Sequence, residues 1–207
     1  MSAFEFFFSF YGLLLGLSVA ELVGGFSRVL HERQRVRFGW LTPLLALFVA
    51  VDLVTFWNQA WVFFRGAPFN PVLLLLGLVI ASTFYIAASV TFPRVSAEGV
   101  ETRIDLDDHF WAHRGLVFGC VLAANAMVWL LLGALALSDP AWAAVWTPRI
   151  IVGVVVFAIC TSVAAFARSR RVVIGALLLV LAYTLWNMVR AAGILLASDG
   201  WLPAIGN

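Results

Sequence analysis

The sequence predicts an all-α integral membrane protein built as a bundle of six transmembrane helices. Hydrophobic residues make up 63% of its 207 residues and charged residues 12%, whereas globular chains have about 45–50% and about 25%. Six separate stretches are long and apolar enough to cross the hydrocarbon core, which takes about 20 residues of helix. The composition excludes a disordered chain, a disulfide scaffold and a protein that binds nucleic acid.

The six stretches follow one another with short polar breaks, and we expect 1–207 to be a single transmembrane domain. The predicted helices span 4–30, 41–64, 72–92, 115–137, 149–167 and 172–197. Pro, Gly and charged residues, which end helices or stay in water, collect in the breaks at 31–40, 65–71, 93–114, 138–148 and 168–171. The stretches are apolar on every side, unlike the alternating strands of a barrel. The first carries Glu5 and no basic leader, which favours a retained helix over a signal peptide.

Arginine asymmetry predicts the orientation of the bundle. One set of breaks and helix ends contains Arg28, Arg33, Arg35, Arg37, Arg94, Arg103, Arg114, Arg168, Arg170 and Arg171. The opposite set contains only Arg65 and Arg149, with Arg190 inside the last stretch. We therefore expect both termini on the periplasmic (extracellular) side and three hairpin turns in the cytoplasm.

All 13 basic residues are arginine, so the chain has no lysine for a Schiff base with retinal or pyridoxal phosphate. The sequence also lacks the Gly-x-Ser-x-Gly, His-Glu-x-x-His, phosphate-loop and Cys-x-x-Cys motifs. We expect no cofactor. A composition with arginine alone is typical of GC-rich bacterial genomes, which favours the bacterial inner membrane as the location.

A stripe of small residues runs along the first predicted helix at four-residue spacing. It consists of Gly12, Gly16, Ala20 and Gly24. Such a stripe lets another helix approach closely, either within the bundle or in a second copy of the chain. The expected partners are membrane lipid, a homo-oligomeric copy and an unknown membrane protein.

Polar side chains recur at similar depth in several predicted helices. Glu21, Asp52 and Asn125 lie about 14 to 18 Å from the predicted cytoplasmic ends of their helices, given a rise of about 1.5 Å per residue. The predicted polar layer consists of Glu21, Asp52, Thr55, Gln59, Asn125, Asn187 and Arg190. Ionisable residues at this depth are costly and are functional candidates.

Three interpretations of this layer remain open. It could be a hydrogen-bond network that holds helix register, with Asp52 or Glu21 either paired to Arg190 or simply protonated. It could be a path on which Glu21 or Asp52 takes up and releases a proton or cation. It could also be a ligand pocket in which Arg190 binds an anion.

The polar segment 93–114 is the largest stretch outside the predicted helices, and it is acidic. Asp105, Asp108, His109 and His113 fall on one helical face, where they could hold a divalent metal. Asp105 is also a typical helix N-cap, and Asp107 and Asp108 suit the positive end of a helix dipole. We regard the metal site as the weaker interpretation.

These observations favour a small channel or transporter that moves protons, cations or a small solute through the polar layer. The first alternative is a non-catalytic membrane scaffold or accessory subunit that self-associates. The second is a metal-dependent, lipid-modifying enzyme at the cytoplasmic face.

Overall fold

In the computed structural model, residues 3–64, 71–94 and 104–197 are described, and within them six helices are long and apolar enough to span a membrane. The helices are α1 (Ala3–His31), α2 (Leu41–Phe64), α3 (Pro71–Thr91), α4 (Leu106–Ser138), the short α5 (Pro140–Ala143), α6 (Pro148–Phe166) and α7 (Arg170–Ala197). Two short strands, β1 (Val36–Arg37) and β2 (Ile104–Asp105), pair in parallel. The prediction of an all-α, multi-pass membrane bundle is confirmed.

The fourth helix begins nine residues earlier than predicted, at Leu106 and not at residue 115. Asp105 caps it, as its side chain accepts a 2.8 Å hydrogen bond from the backbone N–H of Asp107. The predicted start is wrong because residues 106–114 are rich in charged and polar side chains, which are typical of a break between membrane helices. His109 instead bonds across to the Val90 carbonyl oxygen at 3.0 Å, so these polar turns are part of the packed bundle.

The bundle has two parts. Helices α1 to α4 pack together, with α1 against α3 and α3 against α4 as the most extensive contacts. Helices α6 and α7 form a hairpin that packs on α4 and α2. Within the first part, aromatic side chains pack closely between helices. The ring centroids of Phe56 on α2 and Phe84 on α3, for example, lie 4.5 Å apart.

Polar contacts join the two parts at one end of the bundle, which we call the arginine-rich end (Arg28, Arg37, Arg114 and Arg170). Arg114 donates hydrogen bonds to the carbonyl oxygens of Ala164, at 3.1 Å, and Ala167 at the end of α6. Arg170, the first residue of α7, pairs with the Asp107 carboxylate at 2.9 Å. The hairpin is therefore held to α4 at this end by charged side chains.

The glycines of the small-residue stripe of α1 have few close neighbours in the part of the chain that the structure describes. Gly12 approaches another helix closely, since a Cβ there would lie 3.2 Å from the Trp57 ring. Among the same residues, Gly16 has nothing within 4 Å of a Cβ position, and Gly24 meets only Arg28 of its own helix. The tighter contact of α1 is at Gly25, where a Cβ would lie 2.8 Å from the Phe92 ring.

Candidate functional site

A cleft of about 620 Å³ lies between the two parts of the bundle, at the end opposite the arginine-rich one. It is lined by the C-terminal halves of α2, α4 and α7 and by the N-terminal half of α6. Its polar lining residues are Asp52, Thr55, Asn58, Gln59, Asn125, Thr147, Arg149, Thr184, Asn187 and Arg190. This volume is typical of small-molecule sites, which range over about 300–1,000 Å³.

Asp52 and Asn125 form the floor of the cleft. The Asn125 side-chain amide donates a 3.0 Å hydrogen bond to the Asp52 carboxyl, and it also donates to the Val121 carbonyl oxygen at 3.0 Å. Each of the two residues is only 4% exposed. Asp52 is halfway along α2, about 17 Å from either helix end at the rise of an α-helix. The cleft therefore reaches a buried acidic group near the middle of the bundle.

A cluster of three aromatic rings lies directly below this floor. Phe48 is one helical turn before Asp52, and its ring lies 5.7 Å from that of Phe118 and 5.8 Å from that of Phe157. Phe48 and Phe118 are fully buried and precede Asp52 and Asn125 on α2 and α4, toward the arginine-rich end, whereas Phe157 also lines the cleft. We call Phe48, Phe118 and Phe157 the phenylalanine cluster.

Arg149 and Asn187 interact at the mouth of the cleft. Arg149 donates to the Asn187 side-chain oxygen through Nε, at 3.2 Å, and through a terminal guanidinium nitrogen. The Asn187 amide in turn donates to the Tyr183 carbonyl oxygen at 2.8 Å. Arg190, about one turn further along α7, also lines the cleft. The mouth therefore carries two guanidinium groups, one of them held in a defined orientation.

The walls between floor and mouth are partly aromatic. Trp129, one turn after Asn125, packs edge-on against Phe157 with ring centroids 5.9 Å apart. The Trp146 indole N–H donates to the Leu132 carbonyl oxygen at 3.4 Å, which holds the loop before α6 against α4.

The cleft brings together most of the predicted polar layer. Residues of the layer that line it are Asp52, Thr55, Gln59, Asn125, Asn187 and Arg190. Glu21 is not among them. Its carboxylate is 30% exposed and pairs with Arg28, two turns along α1, at 3.5 Å. Of the two states considered for these carboxylates, a pair with Arg190 is not seen among the described residues, where Asp52 bonds to Asn125 and Glu21 to Arg28.

Several lining residues were missed or assigned another role. From the sequence alone, Arg149 is only a charge that predicts orientation and Trp129 has no assigned role, yet both line the cleft. The four-residue spacing of Asn125 and Trp129 could have placed both on one face of α4. Nothing in the local sequence signals that Arg149 meets Asn187, because 38 positions separate them.

The predicted metal ligands do not assemble into a cluster. Asp105 pairs with Arg37 at 3.4 Å. The rings of His109 and His113 stack with centroids 4.2 Å apart, and each ring bonds to a backbone oxygen. Within 3–64, 71–94 and 104–197, no group of three His, Cys, Asp or Glu residues is placed to hold a metal ion. Residues 95–103 of the predicted acidic segment, and Arg65, lie outside the described residues.

No protein-family model, curated protein or solved structure is significantly similar to this chain. The cleft is therefore the feature from which a function can be inferred.

Proposed function

We propose that this chain is a small transporter that exchanges a solute or cation against a proton at Asp52. One observation carries the proposal: the cleft runs from one end of the bundle to the buried Asp52–Asn125 pair and stops there at the phenylalanine cluster. A route that is open to one side and closed near the midplane suits alternating access, in which a central site faces one side at a time. It favours a transporter over a channel, because a channel needs a continuous path.

Asp52 is the proposed exchanging group. A charged carboxylate at the bilayer centre costs about 2.5–3.5 kcal/mol or more, so it requires a proton or a bound cation as its partner. The amide of Asn125 supplies one hydrogen bond and no charge. Replacement of a proton by a cationic group of the solute would keep this site neutral throughout a cycle, and it would couple the two movements.

The hairpin of α6 and α7 is the proposed moving part. Opening toward the arginine-rich end requires the hairpin to separate from α4, which breaks the Arg114 bonds to Ala164 and Ala167 and the Arg170–Asp107 pair. Thr161 lies one turn below Phe157 on the inner face of α6, and its buried hydroxyl is without a hydrogen-bond partner among the described residues. In the other state this hydroxyl would line the route.

The orientation of the transporter is also proposed. By the excess of arginine at its turns, the arginine-rich end faces the cytoplasm and the cleft opens to the periplasm of a bacterial inner membrane. We further propose that copies of the chain associate through the α1 stripe, because Gly16 and Gly24 have no close neighbour from another helix among the described residues.

Proton movement into proteoliposomes tests the exchange. Vesicles that contain a pH-sensitive dye would receive an opposing gradient of Na⁺, K⁺, tetramethylammonium or an ω-amino acid such as 6-aminohexanoate. We expect proton flux from the wild type and from Glu21→Gln, and at least a tenfold lower flux from Asp52→Asn. Glu21→Gln is the matched control, as it neutralises a membrane carboxylate that does not line the cleft. Equal flux from the three folded proteins would contradict the proposal.

A further inference from the structure

The cleft has an acidic group at one end and basic groups at the other. The Asp52 carboxyl is at the floor, and the guanidinium groups of Arg149 and Arg190 are at the mouth. The proposed exchange at Asp52 does not explain the two arginines. Their position among the lining residues at the mouth suggests that they recognise part of the ligand.

The floor suits an ammonium group. Asn125 bonds to one oxygen of the Asp52 carboxyl, Oδ2, and no described side chain donates to the other. Carboxylates bind ammonium groups through charge-assisted hydrogen bonds. The rings of Trp129 and Phe157 border the same space, and aromatic rings attract cations through their faces.

The mouth suits a carboxylate or phosphate. Arg149 uses Nε and one terminal nitrogen on Asn187, and the guanidinium has further N–H donors left for an anion. The Asn187 amide also donates to the Tyr183 carbonyl oxygen. The Arg149 guanidinium is therefore oriented by Asn187 without a ligand. Together with Arg190, it offers the planar, forked donors that recognise acid groups.

The mouth and the floor of the cleft are about as far apart as the two ends of a small molecule. Arg149 is eight residues before Phe157, which contacts Phe48 beside the floor, and eight residues correspond to about 12 Å along the α6 axis. A flexible chain of several bonds spans a distance of this size. A cleft of about 620 Å³ is also much larger than a metal ion needs.

Charge alone argues against simpler ligands. A cation without an acid group would have to pass two guanidinium groups, and an anion without an ammonium would approach a buried acid. We infer that the cleft takes a small zwitterion, with its ammonium group toward Asp52 and its carboxylate or phosphate toward Arg149 and Arg190. This inference rests on the proposed function and names the substrate class of that transporter.

Calorimetric titration of the purified protein with ω-amino acids tests the inference. The probes are glycine, 4-aminobutyrate, 6-aminohexanoate and 8-aminooctanoate, with hexylammonium and hexanoate as single-charge controls. We expect binding to be tightest at an intermediate chain length and at least tenfold tighter than for either control. Arg190→Gln and Asp52→Asn should each weaken it at least tenfold, whereas Arg168→Gln, at an exposed position outside the cleft, should not change it.

Failure of the zwitterion inference can be distinguished from failure of the proposed function. The inference would be overturned if hexylammonium bound as tightly as 6-aminohexanoate, or if Arg190→Gln had no effect on binding. The proposed function would still be tested separately by the proton-flux assay. Absence of binding for every probe would also overturn the inference. Because Arg190 is exposed, its variant should fold even if Asp52→Asn does not.

A zwitterion of this class could be a free solute or the headgroup of phosphatidylethanolamine. Titration of 6-aminohexanoate in nanodiscs of phosphatidylglycerol and of phosphatidylethanolamine distinguishes these sources. Weaker binding in phosphatidylethanolamine indicates that the headgroup competes for the cleft. Equal binding in both indicates a water-soluble solute, and either result supports a zwitterion site.

Discussion

The side-chain amide of Asn125 donates a 3.0 Å hydrogen bond to the Asp52 carboxyl, which joins α4 to α2 at the floor of the cleft. The same amide is held by the Val121 carbonyl oxygen of its own helix. Asn125 therefore presents its second N–H to Asp52 in a defined direction. The bond both positions the acidic group and contributes to the packing of the two helices.

Removal of this bond should destabilise the bundle modestly. We expect Asn125→Leu to lower the free energy of unfolding by about 1–2 kcal/mol, in line with interhelical hydrogen bonds in membranes. Unfolding in mixed detergent micelles measures the change. A double-mutant cycle with Asp52→Leu should give a coupling energy of about 0.5–2 kcal/mol. A coupling energy of zero would mean that the two side chains do not stabilise each other.

Residues above the floor should be accessible to water from one side only. The two native cysteines, Cys120 and Cys160, are removed by substitution with alanine to give a silent background. We expect Gln59→Cys and Asn187→Cys to react with an impermeant maleimide added at the end opposite the arginine-rich one. Phe118→Cys, in the phenylalanine cluster, is the control that should stay unreacted. Labelling of Phe118→Cys at the same rate would show that the cluster does not close the cleft.

Loss of the Arg170–Asp107 ion pair should favour opening at the arginine-rich end. The 2.9 Å pair joins the start of α7 to the start of α4, and its removal takes away one of the contacts that hold the hairpin there. In the cysteine-free background, Arg170→Gln should increase maleimide labelling of Thr161→Cys from the arginine-rich side at least threefold. Arg168→Gln removes a neighbouring exposed charge and serves as the control. An equal effect of both substitutions would indicate a general charge effect and contradict a specific role for this pair.

Two adjacent glycines of α1 should respond differently to leucine. At Gly25 a side chain would collide with the Phe92 ring, and overpacking of this kind costs about 1–3 kcal/mol. At Gly24 the space is open apart from Arg28, so Gly24→Leu should leave the monomer fold intact. If the stripe joins copies of the chain, Gly24→Leu should shift the protein to monomers in sedimentation analysis. Unchanged assembly would show that this stripe is not the interface.

Hydropathy predicts the number of helices and most of their bounds because insertion into a bilayer depends on each segment by itself. The second helix, Leu41–Phe64, begins and ends where it was predicted. The fourth was misjudged because its first turns are polar, and their partners, such as the Val90 carbonyl oxygen for His109, come from other helices. The hydropathy of one segment carries no information about hydrogen-bond partners that lie on other helices.

By itself, then, the sequence determined a six-helix membrane bundle and a predicted polar layer at depth in it, within which Asp52 and Asn125 are the best buried members. Only the tertiary structure decided that Asp52 meets Asn125 while Glu21 turns to Arg28. It also decided that Arg149 joins the mouth of the cleft. The physical reason is that hydropathy measures the transfer of each helix from water to lipid. The rotation of a helix about its axis and its choice of neighbours depend instead on close packing and hydrogen bonds between segments far apart in the chain.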